Sequence, residues 1–146
     1  MSEFATTVGV LLKKKAGQVA SIPPDASVYQ AIELMAAKQV GALLVLQQDE
    51  LVGIISERDY ARKVILLGRA SADTPVRTIM SSPVLTVTPE DSVNHCMQLR
   101  TDRHVRHLPA LENGRVIGMV SIGDLVKAVI AEQRAQIEQL ESYIRS

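Results

Sequence analysis

The apolar positions along the chain switch repeatedly between helical and strand spacing. Thr7–Lys15 carries Val8, Leu11 and Leu12 on one helical face and predicts a short helix closed by Gly17, after a ragged Met1–Glu3. Val19–Ile22 reads as a short strand, and Pro23-Pro24-Asp25 as a turn. Ser27, with Gln30 three residues on, forms a capping box for a helix that buries Val28, Ala31, Ile32 and Met35 and ends near Gln39. Ala42–Leu46 is a nearly continuous apolar strand, Gln47–Glu50 a polar hairpin loop, and Leu51–Ile55 its partner strand. Ser56 opens a second helix that runs to about Leu67, with Gly68 after it. The unit is strand–helix–strand–strand–helix.

The same order then returns. Gly53-Ile54-Ile55-Ser56-Glu57-Arg58-Asp59-Tyr60 is echoed 65 residues later by Gly118-Met119-Val120-Ser121-Ile122-Gly123-Asp124-Leu125. At that offset Val19–Asp59 lies on Val84–Asp124 without a gap and with eleven identities, which makes the chain a tandem duplication. The second repeat predicts a strand at Val84–Val87, a turn at Pro89, a helix over Val93–Arg103, and strands at Val105–Leu111 and Arg115–Val120. Asn113-Gly114 joins those two strands, and a helix starts at Ser121. In the connection, Asp73-Thr74-Pro75 reads as a helix start with Pro75 at the first position and Val76, Ile79 and Met80 turned inward. The expected organisation is an N-terminal lead-in over 1–18, repeat one over 19–68, a linker over 69–83, repeat two over 84–130, and a helical extension over 131–146. The fold class is α+β. Each repeat is small for a core of its own, so the two are expected to share one.

Beyond the repeat, Val126, Ile130, Gln133, Ile137, Leu140 and Ile144 alternate by four and three. That is a coiled-coil seam with one polar break. A helix folded back on its own domain is the plain alternative. Pairing with a second copy is the expectation, giving a homodimer.

Composition narrows the function. Nearly half the residues are apolar and aromatics are few, so the core is aliphatic. The formal net charge is zero, which argues against a nucleic-acid partner held by phosphate neutralisation. Cys96 is the single cysteine, reads as a packing residue, and fits a reducing compartment. With no membrane-length apolar run and no signal-peptide pattern, no membrane is expected and the protein is read as cytoplasmic. Lys13-Lys14-Lys15 read as the solvated end of the first helix, with a phosphate role as the other reading. Phosphate-cradling glycine loops of the G-x-x-x-x-G-K-[ST] or G-x-G-x-x-G type are absent. His95 adjoins Cys96 but points elsewhere on a helix, and His104 and His107 do not share a strand face. No metal site and no catalysis are expected.

The Ser-x-x-Asp pair is the remaining chemistry. Ser at an N-cap with Asp three residues on is a helix cap, and a duplication copies it for stability alone. Two features reach further. The repeats deliver both helix N-termini to equivalent places, expected to face a shared cleft where free N–H groups and the dipole favour an anion. Arg58 sits in a first helical turn, where a cation opposes the dipole unless an anion is near, and Arg62 lies one turn on. A carboxylate beside guanidinium suits a ribose diol attached to phosphate.

With Arg106-His107-Leu108-Pro109 on the middle strand and the β-α-β-β-α order, the two Gly-h-h-Ser-x-x-Asp units resemble the tandem CBS (cystathionine-β-synthase-type) domain pair, over roughly Val8 to Ile130. Ser56–Lys63 is especially similar to the stand-alone bacterial and organellar type. The resemblance implies a regulatory module that binds AMP or ATP, with NAD(H) or S-adenosylmethionine in relatives, and that forms a disc-shaped dimer. By position it assigns Asp59 and Asp124 to the ribose hydroxyls of two sites and Ser56 and Ser121 to ribose or phosphate. It gives the backbone at Ala20-Ser21, Val84-Leu85, Val40-Gly41-Ala42 and Val105-Arg106 to the adenine slots, and Arg58, Arg106 and His107 to phosphate. The repeats differ at Gly41-Ala42 against Arg106-His107, at Leu44 against Pro109, and at Arg58 against Gly123. The two sites are therefore expected to be chemically unlike. Arg103, Arg106 and His107 as solvated cations remain the other reading. Three functions are weighed: adenine-nucleotide sensing that acts through a partner protein, an interaction or dimerisation module with vestigial clefts, and an enzyme acting on a bound nucleotide with Asp59 or Asp124 as base, which no activated nucleophile or metal constellation accompanies.

Overall fold

The computed structural model describes residues 6–14 and 19–145. Met1–Glu3, and Lys15 and Gly17 at the expected end of the first helix, lie outside the described residues. In chain order the elements begin with α1 (Val8–Lys14), β1 (Ser21–Ile22), α2 (Val28–Lys38), β2 (Ala42–Gln47), β3 (Glu50–Ser56) and α3 (Glu57–Tyr60). A π-helical segment, Ala61–Ile65, follows α3 directly. The chain continues through α4 (Val76–Ile79), α5 (Val93–Arg103), β4 (His107–Glu112), β5 (Arg115–Ser121) and α6 (Ile122–Arg145). The described residues fall into two compact units, one drawn from residues 18–85 and the other from residues 1–17 together with 86–146.

In the first unit β2 is central, parallel to β1 and antiparallel to β3. Its run Ala42–Val45 is buried throughout, which is why the sequence there is apolar without alternation. Leu43, Val45 and Ile55 pack with Val28, Ala31 and Met35 of α2, with Val64, and with Val76 and Ile79 of α4. In the second unit β4 and β5 form an antiparallel pair. The core positions return at the offset of 65: Val93 for Val28, Cys96 for Ala31, Leu108 for Leu43 and Val120 for Ile55, all buried. Cys96 thus fills an alanine's slot. Burial, with a smaller push from the Asp91 carboxylate, raises its thiol to about 11.

The irregularities are duplicated along with the regular parts. Gln39 and His104 end α2 and α5 in the left-handed region. A bulge lies between Val45 and Leu46 and again between Ala110 and Leu111. Both hairpins turn on two residues with positive φ, Gln48-Asp49 and Asn113-Gly114. Only the second turn uses residues suited to that conformation. The expected four-residue loop Gln47–Glu50 is therefore a two-residue turn, with Gln47 and Glu50 paired across it.

Three expectations are corrected. The strand Val19–Ile22 shortens to Ser21–Ile22, and its counterpart Val84–Val87 reduces to one isolated parallel bridge, Val87 to Ala110. Pro109 explains the second case. In repeat one the Leu44 amide donates to the Ala20 carbonyl at 3.1 Å; Pro109, at Leu44's place, has no N–H to give Leu85. The bonds that remain are Val87 N–H to the Pro109 carbonyl and Leu111 N–H to the Val87 carbonyl, at 2.9 and 2.8 Å. Next, the helix expected from Ser56 to Leu67 turns π after Tyr60, with the Leu66 and Arg69 amides reaching back five residues. Val64 is kept inside while Ile65, Leu66 and Leu67 face outward. Last, Pro75 is the N-cap of α4 rather than its first residue.

The helices that precede the repeats are themselves equivalent, at an offset of 68. Val76 N–H donates to Ala26 and Arg77 N–H to Pro24; Val8 and Gly9 make the same bonds to Asp91 and Pro89. The N-terminal lead-in therefore serves the second repeat, and the linker helix serves the first. This arrangement explains both motif glycines. A Cβ on Gly53 would lie 2.5 Å from the Met80 sulfur, and one on Gly118 would lie 2.6 Å from a Leu12 methyl.

Candidate functional site

Each unit builds the same corner from three pieces of backbone. In the first, Ser21 lies beside Leu44 of β2, and Ala42 pairs with Ser56 at the end of β3. The Glu57 amide then donates to the Gly41 carbonyl at 3.0 Å and ties the start of α3 to the strand entry. In the second, His107 pairs with Ser121, and the Ile122 amide donates to Arg106 at 3.0 Å. The expected residues Ala20, Ser21, Gly41, Ala42, Ser56 and Asp59 are thereby brought together in one unit, and Arg106, His107, Ser121 and Asp124 in the other. Val84 and Leu85 join no strand, for the reason Pro109 supplies, and the segment's bonds to β4 are those of Val87.

Both Ser-x-x-Asp units are full capping boxes. Asp59 Oδ2 accepts from the Ser56 amide and hydroxyl, each at 3.0 Å, and Ser56 Oγ accepts from the Asp59 amide at 3.2 Å. Asp124 Oδ2 does the same with Ser121, at 2.8 and 3.0 Å, and Ser121 Oγ accepts from the Asp124 amide at 3.2 Å. The cap is therefore real in each repeat and accounts for one oxygen of each carboxylate.

The surroundings of those carboxylates differ. Asp59 Oδ1 lies 3.3 Å from the Lys63 ammonium and accepts a long hydrogen bond from Ser81 at 3.4 Å. Lys63 also donates to the Ile79 carbonyl at 2.9 Å, so it fastens the start of this helix to the end of α4. At Lys63's place the second repeat has Ala128. Sequence reasoning missed Lys63 and Ser81; the i, i+4 spacing of Asp59 and Lys63 was the available signal for the first.

An open cleft of about 360 Å³ adjoins the first corner, lined by Ile32, Met35, Ala36 and Gln39 of α2 with Val40, Gly41 and Glu57. Val40 and Gly41 were expected there; the α2 residues and Glu57 were not. Gly41 keeps the cleft open, since a Cβ would stand 3.0 Å from Glu57 Oε1. The corresponding pair in repeat two is Arg106 and Ile122, so an acid beside a bare backbone is exchanged for a cation beside an apolar side chain. Among the described residues no group of three or more His, Cys, Asp or Glu is placed to hold a metal ion. No helix among them is long and apolar enough to cross a membrane.

A family model for the CBS domain matches residues 15–65 and again 76–131. The chain belongs to the CBS-domain family. It is 43% identical over 150 residues to the mitochondrial CBS domain-containing protein CBSX3 of Arabidopsis thaliana, covering 97% of this chain and 73% of that protein. It is 31% identical to YhcV of Bacillus subtilis, over 81% of this chain and 84% of that one. A solved CBS-domain protein of Burkholderia ambifaria is 49% identical and superposes with a TM-score of 0.84, covering 88% of this chain and 96% of its own. The α+β architecture with two CBS repeats is thus shared with solved relatives. The first family match opens upstream of β1. The second starts at residue 76, where α4 begins.

Proposed function

We propose that this CBS pair is a regulatory module that binds an adenine nucleotide, AMP or ATP with NAD(H) as a further ligand, and acts through a partner protein rather than by catalysis. The observation that carries the reading is the repetition, at two helix N-termini, of one corner. In each, a Ser–Asp capping box meets a strand entry whose carbonyl is held by the first helical amide. A solved CBS-domain protein of Pyrobaculum aerophilum, PAE2072, is complexed with AMP; at 24% identity and a TM-score of 0.71 it shares the fold.

In this reading Asp59 and Asp124 hold ribose hydroxyls, and Ser56 and Ser121 lie near ribose or phosphate. Ala20-Ser21 with Val40–Ala42, and Val84-Leu85 with Val105-Arg106, line the bases. Arg58, Arg106 and His107 meet phosphate. The second repeat is the better phosphate site, because Arg106 and His107 replace Gly41 and Ala42 there and Ile122 replaces the acidic Glu57. The competing reading, a dimerisation module with vestigial clefts, is favoured by the Lys63–Asp59 pair, which already occupies the first carboxylate. The protein is read as a homodimer; CBS-CP12 of bloom-forming cyanobacteria, a 26% identical structural relative, is hexameric. A cytoplasmic location fits the free thiol of Cys96.

A thermal-shift panel tests the reading. A ligand that binds only the folded protein at a hundredfold excess over Kd stabilises it by about 2.7 kcal/mol, or about 5–10 °C in a chain of this size. AMP, ADP, ATP, NAD or NADH should give such a shift, and GTP and free phosphate should not. If none of the five moves the melting curve, the dimerisation module is the function that stands.

A further inference from the structure

The distal part of α6 stands exposed. From Gln133 to Arg145 every residue is exposed, on all faces of the helix. A free-standing helix of that length is marginal in water. Yet it carries a narrow apolar stripe that continues one begun nearer the domain: Val126 and Ile130 are 42% and 43% exposed, Ile137 54%, Leu140 61% and Ile144 80%. In heptad terms Ile130, Ile137 and Ile144 are a positions, and Val126, Gln133 and Leu140 are d positions. Isoleucine at all three a positions, with Leu140 at one d position, follows the preference of a two-stranded parallel coil.

We infer that α6 pairs with α6 of a second copy of this chain as a parallel, in-register helix pair. This deepens the self-association proposed above and does not depend on nucleotide. Gln133 decides the direction. In a parallel pair Gln133 meets Gln133 of the second copy, and two amides can each donate and accept. In a fully overlapped antiparallel pair Gln133 faces Ile137, and both amides are buried against isoleucine without a partner. The antiparallel pair also sets Arg134 against Arg134 once and Lys127 against Glu141 twice, but these are exposed contacts of small weight beside two buried unpartnered amides. The parallel pair brings Gln136 to Glu141 and Val129 to Arg134, with no like charges opposed. Both copies' β4–β5 units then lie at the same end of the helix pair. A helix of another protein is the rival occupant of the stripe, and the test separates it.

The test uses the full chain carrying Ile144→Cys, with wild type as the control, since Cys96 is fully buried. Light scattering gives the mass; a short bis-maleimide followed by denaturing electrophoresis gives the orientation. In a parallel pair the two introduced thiols adjoin. In the antiparallel pair residue 144 lies opposite residue 126, so the thiols stand about 27 Å apart along the axis at 1.5 Å per residue. A dimer that cross-links at 144 and not in wild type is the expected result. Leu140→Cys should behave alike, and Gln133→Leu should tighten the dimer at least tenfold while lowering its fidelity of direction. A dimer that fails to cross-link at both 140 and 144 overturns the parallel arrangement. A monomer in the intact wild-type chain at micromolar concentration overturns self-association itself and leaves the stripe to another protein.

Discussion

Replacing Lys63 with methionine should lower stability and raise nucleotide affinity at the same time. The change keeps the aliphatic stem and removes the ammonium. Two interactions go with it: the 2.9 Å hydrogen bond to the Ile79 carbonyl and the 3.3 Å pair with Asp59. The first contributes about 1 kcal/mol. The second is an i, i+4 pair whose lysine side chain is 42% exposed, so solvent screening holds it to about 0.3–0.5 kcal/mol. The sum is about 1–1.5 kcal/mol, a fall in melting temperature of about 3–6 °C. Asp59 keeps its cap, since Ser56 is untouched. A ribose diol no longer competes with an ammonium for Oδ1, so the first site should bind AMP about twofold more tightly, the equivalent of the lost ion pair. The mirror experiment is Ala128→Lys, which places a lysine one turn beyond Asp124. It should weaken the second site by a similar factor without lowering the melting temperature. Thermal denaturation and isothermal titration of the three proteins with AMP measure both arms. If Lys63→Met melts with wild type, Lys63 does not fasten the helix to α4. If it is destabilised while neither variant changes AMP affinity, the carboxylates are helix caps and do not grip ribose.

Gly53→Ala should cost about 1–3 kcal/mol by overpacking, and more than Gly118→Ala, because its new Cβ meets the fixed Ser81 carbonyl at 3.1 Å as well as Met80, whereas the three atoms nearest a Cβ at Gly118 all belong to the Leu12 side chain; urea denaturation ranks them, and the reverse order would contradict the packing described. Gln48→Asn with Asp49→Gly should stabilise by about 0.5–1.5 kcal/mol, since both residues occupy the left-handed region that Asn113-Gly114 occupies without strain; an unchanged midpoint would refute it. The Cys96 thiol is raised from 9.0 to about 11 in the folded protein, so its contribution is complete below pH 9 and is lost as pH rises through 11. Cys96→Ala should therefore show a shallower loss of stability over that interval than wild type, in denaturation midpoints taken across it.

The duplication made most of the fold legible before any coordinates. Once Ser27-x-x-Gln30, Asn113-Gly114 and the two Gly-h-h-Ser-x-x-Asp units were in register, element order followed, because each is a local signal whose physics acts within a few residues. What escaped depended on partners distant in sequence. Leu44 and Pro109 differ by one amide hydrogen, yet only the pairing of Leu44 with Ala20 shows that the hydrogen is needed. The π turn after Tyr60 leaves no mark in apolar spacing. The equivalence of α1 and α4 hid behind an offset of 68 rather than 65, and so the lead-in was read as a preface to the first repeat. At the site, the caps and strand entries were visible in the sequence. The α2 wall of the cleft was not, since Ile32, Met35 and Ala36 read simply as a buried helical face.

Thirty of the 41 aligned positions differ between the repeats, along the whole unit, and those at the corner bear on function. Core pairs such as Leu43 and Leu108 persist, and the bulges, turns and caps repeat. Among the changes are Gly41-Ala42 against Arg106-His107, Leu44 against Pro109, Glu57 against Ile122, Arg58 against Gly123 and Lys63 against Ala128. Each alters charge, bulk or hydrogen-bonding capacity at the strand entry or the first turns of the helix it meets. Those are the places where a ligand would touch and where a helix cap makes no demand. Two corners built alike and furnished differently would suit two chemically unlike occupants, and the Lys63→Met and Ala128→Lys titrations ask whether each corner has one.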